Sequence, residues 1–104
     1  MLPPDTAYEE TAVAESAEKV EKPPLFKVLL HNDDFTTMEF VVWVLESVFN
    51  MTEDQAVQTM LNVHVKGVGV AGVYTWEIAE MKVARTTELA REHEYPLLCT
   101  MEEA

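Results

Sequence analysis

The sequence has 104 residues, of which 48% are hydrophobic and 25% charged, and this length and composition fit one soluble globular domain. Its formal net charge of -12 argues against a nucleic-acid-binding protein, because contacts with phosphate require a basic surface. The longest apolar run, residues 40–45, is far shorter than the roughly 18 residues of a membrane-spanning helix. We therefore expect neutral or cationic partners and no membrane contact.

Residues 1–22 are predicted to form a flexible acidic extension. Six acidic side chains stand against Lys19 and Lys22, with few large apolar groups, so this segment cannot bury enough surface to order itself. Its start lacks the basic and apolar parts of a secretory signal, and its acidity does not fit an organelle transit peptide, so we expect a cytoplasmic protein. Pro23 and Pro24 mark the boundary, since a proline pair imposes an extended chain. The folded domain should therefore span residues 23–104.

The first two elements of this domain should be a strand and a helix joined by a short polar loop. The nearly continuous apolar character of residues 25–31 predicts a strand that is buried on both faces or lies at the centre of a small sheet. Thr36, with Glu39 three residues later, has the pattern of a capping box, and the apolar residues that follow recur at helical spacing. This helix should end near Asn50.

A second helix and a second strand should come next. Thr52 and Gln55 have the pattern of another capping box, and Gly67 is the expected end of this helix. In residues 68–74, β-branched residues alternate with small ones, which predicts a short strand that another segment approaches closely.

A third helix and a final strand complete the predicted fold. Thr75 can cap a helix that runs to about His93, and Pro96 closes the turn before a strand over residues 97–101. The element order is strand, helix, helix, strand, helix, strand. We predict an α+β fold, in which three helices pack on one face of a three-stranded, mainly antiparallel sheet.

The loop after the first strand gathers polar acceptors at the start of a helix. Asn32, Asp33 and Asp34 offer an amide oxygen and carboxylate oxygens within three residues, which suits an ammonium group with its three donors. A metal is the obvious rival, but an EF-hand calcium loop needs alternating oxygen ligands and a central glycine before its helix. A purely structural interpretation also stays open, in which one aspartate satisfies the amides of a turn while the others are solvated.

A histidine shares one helical face with apolar residues in the second helix. Met60, Val63 and His64 are spaced i, i+3 and i+4. His64 could be a core histidine, or its neutral imidazole could present one ring nitrogen as an acceptor to a cation. No zinc-ligand spacing, nucleophile motif or phosphate-binding loop is present in the sequence. We therefore expect no enzyme, no metal and no other cofactor, and a buried, unreactive thiol at the single cysteine, Cys99.

Five separated segments together resemble the ClpS family in their order and spacing. The resemblance covers residues 23–104, which is essentially the whole folded part, and it is specific because it does not depend on one short pattern. The segments are NDDFTTMEFV at 32–41, MLNVH at 60–64, GVYT at 72–75, EIAEMKVA at 77–84 and PLLCTME at 96–102.

The resemblance implies a function. ClpS proteins are adaptors of bacterial and plastid proteolysis and are not enzymes. They recognise N-degrons, which are substrates with a bulky apolar first residue, typically Leu, Phe, Tyr or Trp, and deliver them to the AAA+ unfoldase ClpA or an equivalent Clp ATPase for degradation by ClpP. The implied partners are thus a ClpA-type unfoldase and N-degron substrates, and we expect a monomer. A second hypothesis stays open, that of an acidic interaction module that modulates a Clp ATPase without reading N-termini.

The resemblance also implies a binding site, residue by residue. It places the free α-amino group of the substrate at Asn32, Asp34 and His64, with Asp33 alongside near the peptide backbone. Met38 should act as a gate against first residues that are branched at Cβ. The implied side-chain pocket consists of Thr36, Met38, Val41, Met60, Val63 and Leu97.

Three further positions follow from the family pattern. Glu77 and Lys82 fall where the family contacts its ATPase, although two charges on a solvated helix face would look the same. The family usually has proline at the position of Thr37, where a fixed φ preorganises the first helical turn. Thr37 should leave this turn softer, so we expect a narrower or weaker preference among first residues.

Overall fold

The computed structural model describes residues 22–104. Their fold is built on a three-stranded sheet. Its strands are β1 (Leu25–His31), β2 (Val68–Thr75) and β3 (Leu98–Glu103). They lie in the order β2-β1-β3, and both neighbouring pairs are antiparallel. The first strand is therefore the central one. The predicted extension over residues 1–22 lies outside the described residues, except for its last residue.

Three helices connect and cover the strands. They are α1 (Met38–Ser47), α2 (Glu53–Lys66) and α3 (Trp76–Glu92), so the elements follow the order strand, helix, helix, strand, helix, strand. This order and the antiparallel sheet confirm the predicted α+β architecture. None of the helices within residues 22–104 is long and apolar enough to span a membrane.

The central strand β1 is buried on one face only. Val28 and Leu30 are 0% exposed, whereas Lys27, Leu29 and His31 are half-buried. Successive side chains of a strand point to opposite faces, so the apolar run supplies one face to the core and leaves the other partly open to solvent. Of the two predicted alternatives, the central position is confirmed and burial on both faces is wrong.

Helix α1 begins with a different cap from the predicted one. Thr37, not Thr36, is the N-cap residue, and its hydroxyl accepts a hydrogen bond from the backbone N–H of Phe40 at 3.1 Å. The Thr36 hydroxyl instead donates to Asp33 Oδ2 at 2.7 Å, because a carboxylate is a strong acceptor within its reach. The predicted capping box of Thr36 and Glu39 is therefore wrong.

Helix α2 has the predicted ends. The Thr52 hydroxyl accepts from the N–H of Gln55, and the Gln55 side chain accepts from the N–H of Thr52, so this capping box is confirmed. Gly67 ends the helix with φ of 88°, a left-handed conformation that glycine adopts without Cβ strain. Its N–H donates to the carbonyl of Val63 at 2.8 Å.

The other predicted boundaries are close to the observed ones. Helix α1 ends at Ser47, and Asn50 then adopts a left-handed φ of 57°. Thr75 is the N-cap residue of α3, but its side chain makes no capping hydrogen bond, and the helix ends immediately before His93. Strand β3 begins one residue later and ends two residues later than predicted.

The core lies between the helices and the inner face of the sheet. Gly69 of β2 faces α2, and a Cβ at this position would lie 2.7 Å from Val63 Cγ2. This confirms the predicted close approach to the second strand. The core side chains with no exposed surface are Val28, Leu30, Val44, Leu45, Ala56 and Ala79.

Candidate functional site

A cavity of about 360 Å³ opens where the β1–α1 loop meets helices α1 and α2. It contains all of the residues predicted for the amine and side-chain sites except Leu97. Phe35 and Thr37 also line it, although neither was predicted as a site residue. The lining residues are Asn32, Asp33, Asp34, Phe35, Thr36, Thr37, Met38, Val41, Met60, Val63 and His64.

The end of β1 and the end of α2 lie next to each other, and this brings the acceptor loop and His64 to the same cavity. The backbone N–H of Asn32, directly after β1, donates to the carbonyl of Gly67 at 2.9 Å. Gly67 is the cap that ends α2, and His64 lies in the last turn of that helix. The acceptor loop and the histidine, which are far apart in the sequence, are therefore held at the same edge of the sheet.

Asp33 shapes the loop. Its Oδ1 accepts from the N–H groups of Phe35 and Thr36 at 2.8 and 2.7 Å, and its Oδ2 accepts from the Thr36 hydroxyl. Burial by itself raises the pKa of the Asp33 carboxyl, but the hydrogen bonds from Thr36 and Phe35 stabilise the charged form and bring the pKa below its usual value. Asp33 thus takes the structural role that the sequence left open for one of the aspartates.

The other acceptors of the cavity are not used by the fold. Asn32, Asp34 and His64 are exposed, and their side chains make no hydrogen bond with any other side chain or backbone group of residues 22–104. All three residues line the cavity. Because these acceptors are free of internal partners, they can accept hydrogen bonds from a cationic ligand.

The opposite part of the cavity is apolar. Val41, Met60 and Val63 belong to the core and form a buried floor. Met38 and Phe35 are 46% and 77% exposed and stand at the rim. The cavity therefore offers a polar wall and a hydrophobic floor to the same ligand. In the sequence, the signal that could have identified Phe35 is its position as a large apolar residue directly after Asp34.

Leu97 is the one predicted pocket residue that is not among the residues lining the cavity. It is 6% exposed and belongs to the hydrophobic core, outside the set of residues that line the cavity. Any contact with a ligand therefore stays a prediction.

Lys82 is engaged within the protein. Its Nζ donates to the carbonyl of Val48 at 2.6 Å, at the C-terminal end of α1, and lies 5.9 and 5.6 Å from the ring centroids of Phe49 and Tyr74. A cation at a helix C-terminus compensates the partial negative charge of the last carbonyl groups. Glu77 is exposed in the first turn of α3, and within residues 22–104 it forms no ion pair with Lys82. A contact of Glu77 and Lys82 with the ATPase stays a prediction.

The remaining reactive side chains do not form a second site in the described part. Cys99 is buried as predicted, and burial raises the pKa of its thiol to about 11, although the neighbouring Thr86 hydroxyl acts in the opposite direction. The thiol is therefore protonated at neutral pH. Nowhere within residues 22–104 do three or more His, Cys, Asp or Glu side chains group as a metal site would require.

Comparison with known proteins agrees with this architecture. The family model for the ATP-dependent Clp protease adaptor protein ClpS matches residues 21–100. The ClpS adapter proteins of Hyphomonas neptunium and Methylococcus capsulatus are 58% and 56% identical to this chain over 88 and 93 residues. The alignments cover 85% and 89% of this chain, and 75% and 88% of those proteins.

A solved structure is also similar. The structure of Agrobacterium tumefaciens ClpS2 bound to L-phenylalaninamide matches with a TM-score of 0.78 and 42% identity, and the match covers 80% of this chain and all of that one. Fold and sequence thus define an adaptor of the ATP-dependent Clp protease, and not an enzyme. The chain belongs to the ClpS family.

Proposed function

We propose that the cavity binds the free N-terminus of proteins whose first residue is Leu, Phe, Tyr or Trp. The adaptor then delivers these substrates, as a monomer in the cytoplasm, to a ClpA-type AAA+ unfoldase for degradation by ClpP. The observation that carries this proposal is the pairing of unused acceptors with a buried apolar floor in one cavity. A peptide N-terminus has the complementary pair of groups, an ammonium and a hydrophobic side chain.

The ligand of the similar structure has the same two groups. L-phenylalaninamide carries a free α-amino group and a phenyl ring, and its amide stands where the peptide bond of a longer chain would follow. Such a ligand fits the cavity of this chain if the ammonium faces Asn32, Asp34 and His64 and the ring faces Val41 and Met60.

The expected affinity follows from these contacts. Burying a Leu or Phe side chain contributes roughly 1.5 to 3 kcal/mol, and each charge-assisted hydrogen bond adds about 1.5 to 3 kcal/mol before the cost of association is subtracted. Low-micromolar binding or somewhat tighter is therefore expected.

Fluorescence anisotropy with labelled peptides tests the proposal. Peptides that begin with Phe, Leu, Tyr or Trp should bind, whereas the same peptides with an acetylated N-terminus or an initial glycine should not. Acetylation removes the charge and most of the donors while leaving the side chain intact, so it isolates the role of the amine. Equal binding of acetylated and free peptides would overturn the proposal.

Delivery is a separate step. We propose that residues 23–104 form the substrate-binding domain and that residues 1–22 engage the ATPase during handover. Deletion of residues 1–22 should spare peptide binding and slow the degradation of a reporter with an N-terminal Phe by ClpA and ClpP. If the deletion abolished peptide binding, this division of roles would be wrong.

An experiment also tests the second hypothesis, that of an acidic interaction module that modulates a Clp ATPase without reading N-termini. If the wild-type protein changed the ATPase activity of ClpA, and the Asp34→Ala variant did so equally, while neither protein bound N-terminal peptides, the module would act without reading N-termini.

A further inference from the structure

A tyrosine outside the cavity contacts the first turn of the helix that lines it. Tyr95 lies in the turn between α3 and β3, and its hydroxyl oxygen is 3.4 Å from Thr37 Oγ1, which donates to it. The Tyr95 ring also packs on Phe40, with 4.6 Å between ring centroids. Tyr95 thus reaches both the N-cap of α1 and the residue three positions later.

The backbone of Tyr95 is itself well anchored. Glu94 adopts a left-handed φ of 61°, its N–H donates to the carbonyl of Arg91, and the N–H of Tyr95 donates to the carbonyl of Ala90 at 2.8 Å. These two bonds form the Schellman motif that ends a helix. Because Ala90 is buried in the core, Tyr95 is joined to the rigid part of the fold.

Thr37 connects the Tyr95 contact to the cavity. The Thr37 hydroxyl accepts the capping bond from Phe40 N–H, so its own hydrogen is free to be donated to Tyr95. Met38, the next residue, is the first of α1 and stands at the cavity rim, whereas Met60 and Val63 of α2 contribute to the floor. A shift of this first turn would therefore move the rim against the floor.

We propose that Tyr95 is a positioning residue that holds the first turn of α1 through Thr37 and thereby sets which side-chain shapes enter the cavity. This inference rests on the proposed function. A side chain branched at Cβ carries its bulk next to the ligand backbone, at the rim, whereas Leu carries its branch one carbon deeper. Leu and Ile are isomers with the same atoms, so the ratio of their dissociation constants reports the shape of the rim and not hydrophobicity.

The test compares Tyr95→Phe with wild type. This variant removes only the hydroxyl and keeps the ring that packs on Phe40. We expect the ratio of the Ile-peptide to the Leu-peptide dissociation constant to fall about two- to threefold, since a 3.4 Å hydroxyl contact lies at the weak end of hydrogen bonds. Tyr74→Phe is the matched control, because it removes a tyrosine hydroxyl that lies outside the cavity lining, beside Phe49 and Lys82, and it should retain the wild-type ratio.

A double-mutant cycle distinguishes an effect of Tyr95 that acts through Thr37 from a general loss of stability. In a Thr37→Val background the partner of the Tyr95 hydroxyl is already gone, so adding Tyr95→Phe should leave the ratio unchanged. A wild-type ratio in Tyr95→Phe, or an equal fall in both backgrounds, overturns the inference while leaving the proposed function intact. Absence of any peptide binding by wild type would overturn the proposed function, and the inference with it.

A readout without peptide completes the test. In a sample labelled with ¹³C at the methionine methyl groups, Tyr95→Phe should shift the signal of Met38 and not that of Met81, which lies on α3. An unchanged Met38 signal would contradict the positioning role.

Discussion

The backbone N–H of Asn32 donates a 2.9 Å hydrogen bond to the carbonyl of Gly67. This bond joins the end of β1 to the end of α2, and the pairing of His31 with Val68 continues the same junction into the sheet. The acceptor loop and the helix that carries His64 are thus fixed to each other by the backbone. Their side chains do not need to contact one another, and they remain free for a ligand.

The two adjacent aspartates should behave differently when each is replaced by alanine. Asp34→Ala should weaken binding of a Phe-peptide about tenfold or more and leave the free energy of unfolding within about 0.5 kcal/mol, because Asp34 has no internal partner in the described part of the chain. Asp33→Ala should lower the free energy of unfolding by about 1 kcal/mol, because the turn loses its acceptor. Urea denaturation and peptide anisotropy of both variants measure these effects. Equal stability losses would contradict the assigned roles.

Lowering the pH should reveal how much the charge of Asp33 contributes to the stability of the fold. Since hydrogen bonds hold the folded-state pKa of Asp33 below its usual value, the unfolded chain binds the proton more readily, and stability rises with pH through this range. The stabilisation by the Asp33 carboxylate is present above about pH 4 and is lost as the pH falls through the lowered folded-state pKa. The stability difference between wild type and Asp33→Asn, measured by urea denaturation from pH 7 to pH 2, should therefore shrink only below about pH 4. Loss of the difference between pH 7 and pH 5 would argue against this origin.

Removal of the Lys82 ammonium should destabilise the protein. Lys82→Met keeps the apolar stem but leaves the carbonyl of Val48 without its partner, which should cost about 1 kcal/mol of the free energy of unfolding. Arg85→Met is the matched control, because Arg85 pairs with Glu88 on the exposed surface and should cost less than about 0.5 kcal/mol. A weaker affinity of Lys82→Met for ClpA would indicate a docking role only if it exceeded the effect of this stability loss.

The buried hydroxyl of Thr86 should be dispensable. Thr86 is 0% exposed and its Oγ1 has no hydrogen-bond partner of good geometry among the described residues, with only the weakly polar Cys99 thiol nearby. Thr86→Val has nearly the same shape and removes the cost of the unpaired hydroxyl, so the free energy of unfolding should rise by about 1 kcal/mol. Thr87→Val, at a half-buried position on the same helix, is the control and should change stability by less than about 0.5 kcal/mol. Destabilisation by Thr86→Val would show that the hydroxyl has a partner.

Local patterns predicted most of the element boundaries, and the wrong cap of α1 shows where they fail. At α2 a single hydroxyl, Thr52, and a single partner three residues later leave no choice, and the structure contains both bonds. At α1 two threonines compete, and the pattern of Thr36 with Glu39 looked equally good. Because the carboxylate of Asp33 binds the Thr36 hydroxyl, Thr37 is the residue that caps the helix. Which of two adjacent hydroxyls caps a helix depends on the fold of the preceding loop.

The sequence by itself determined the secondary structure and most of the cavity residues of this ClpS-family protein, because strand runs, caps and helical faces are local and the family segments are specific. Only the tertiary structure decided that Leu97 lies in the core outside the cavity lining, that Lys82 caps α1, and that Tyr95 meets Thr37. Thr37 and Tyr95 are 58 residues apart in the chain. Contacts over such separations depend on how helices and strands pack, which no local spacing of residues records.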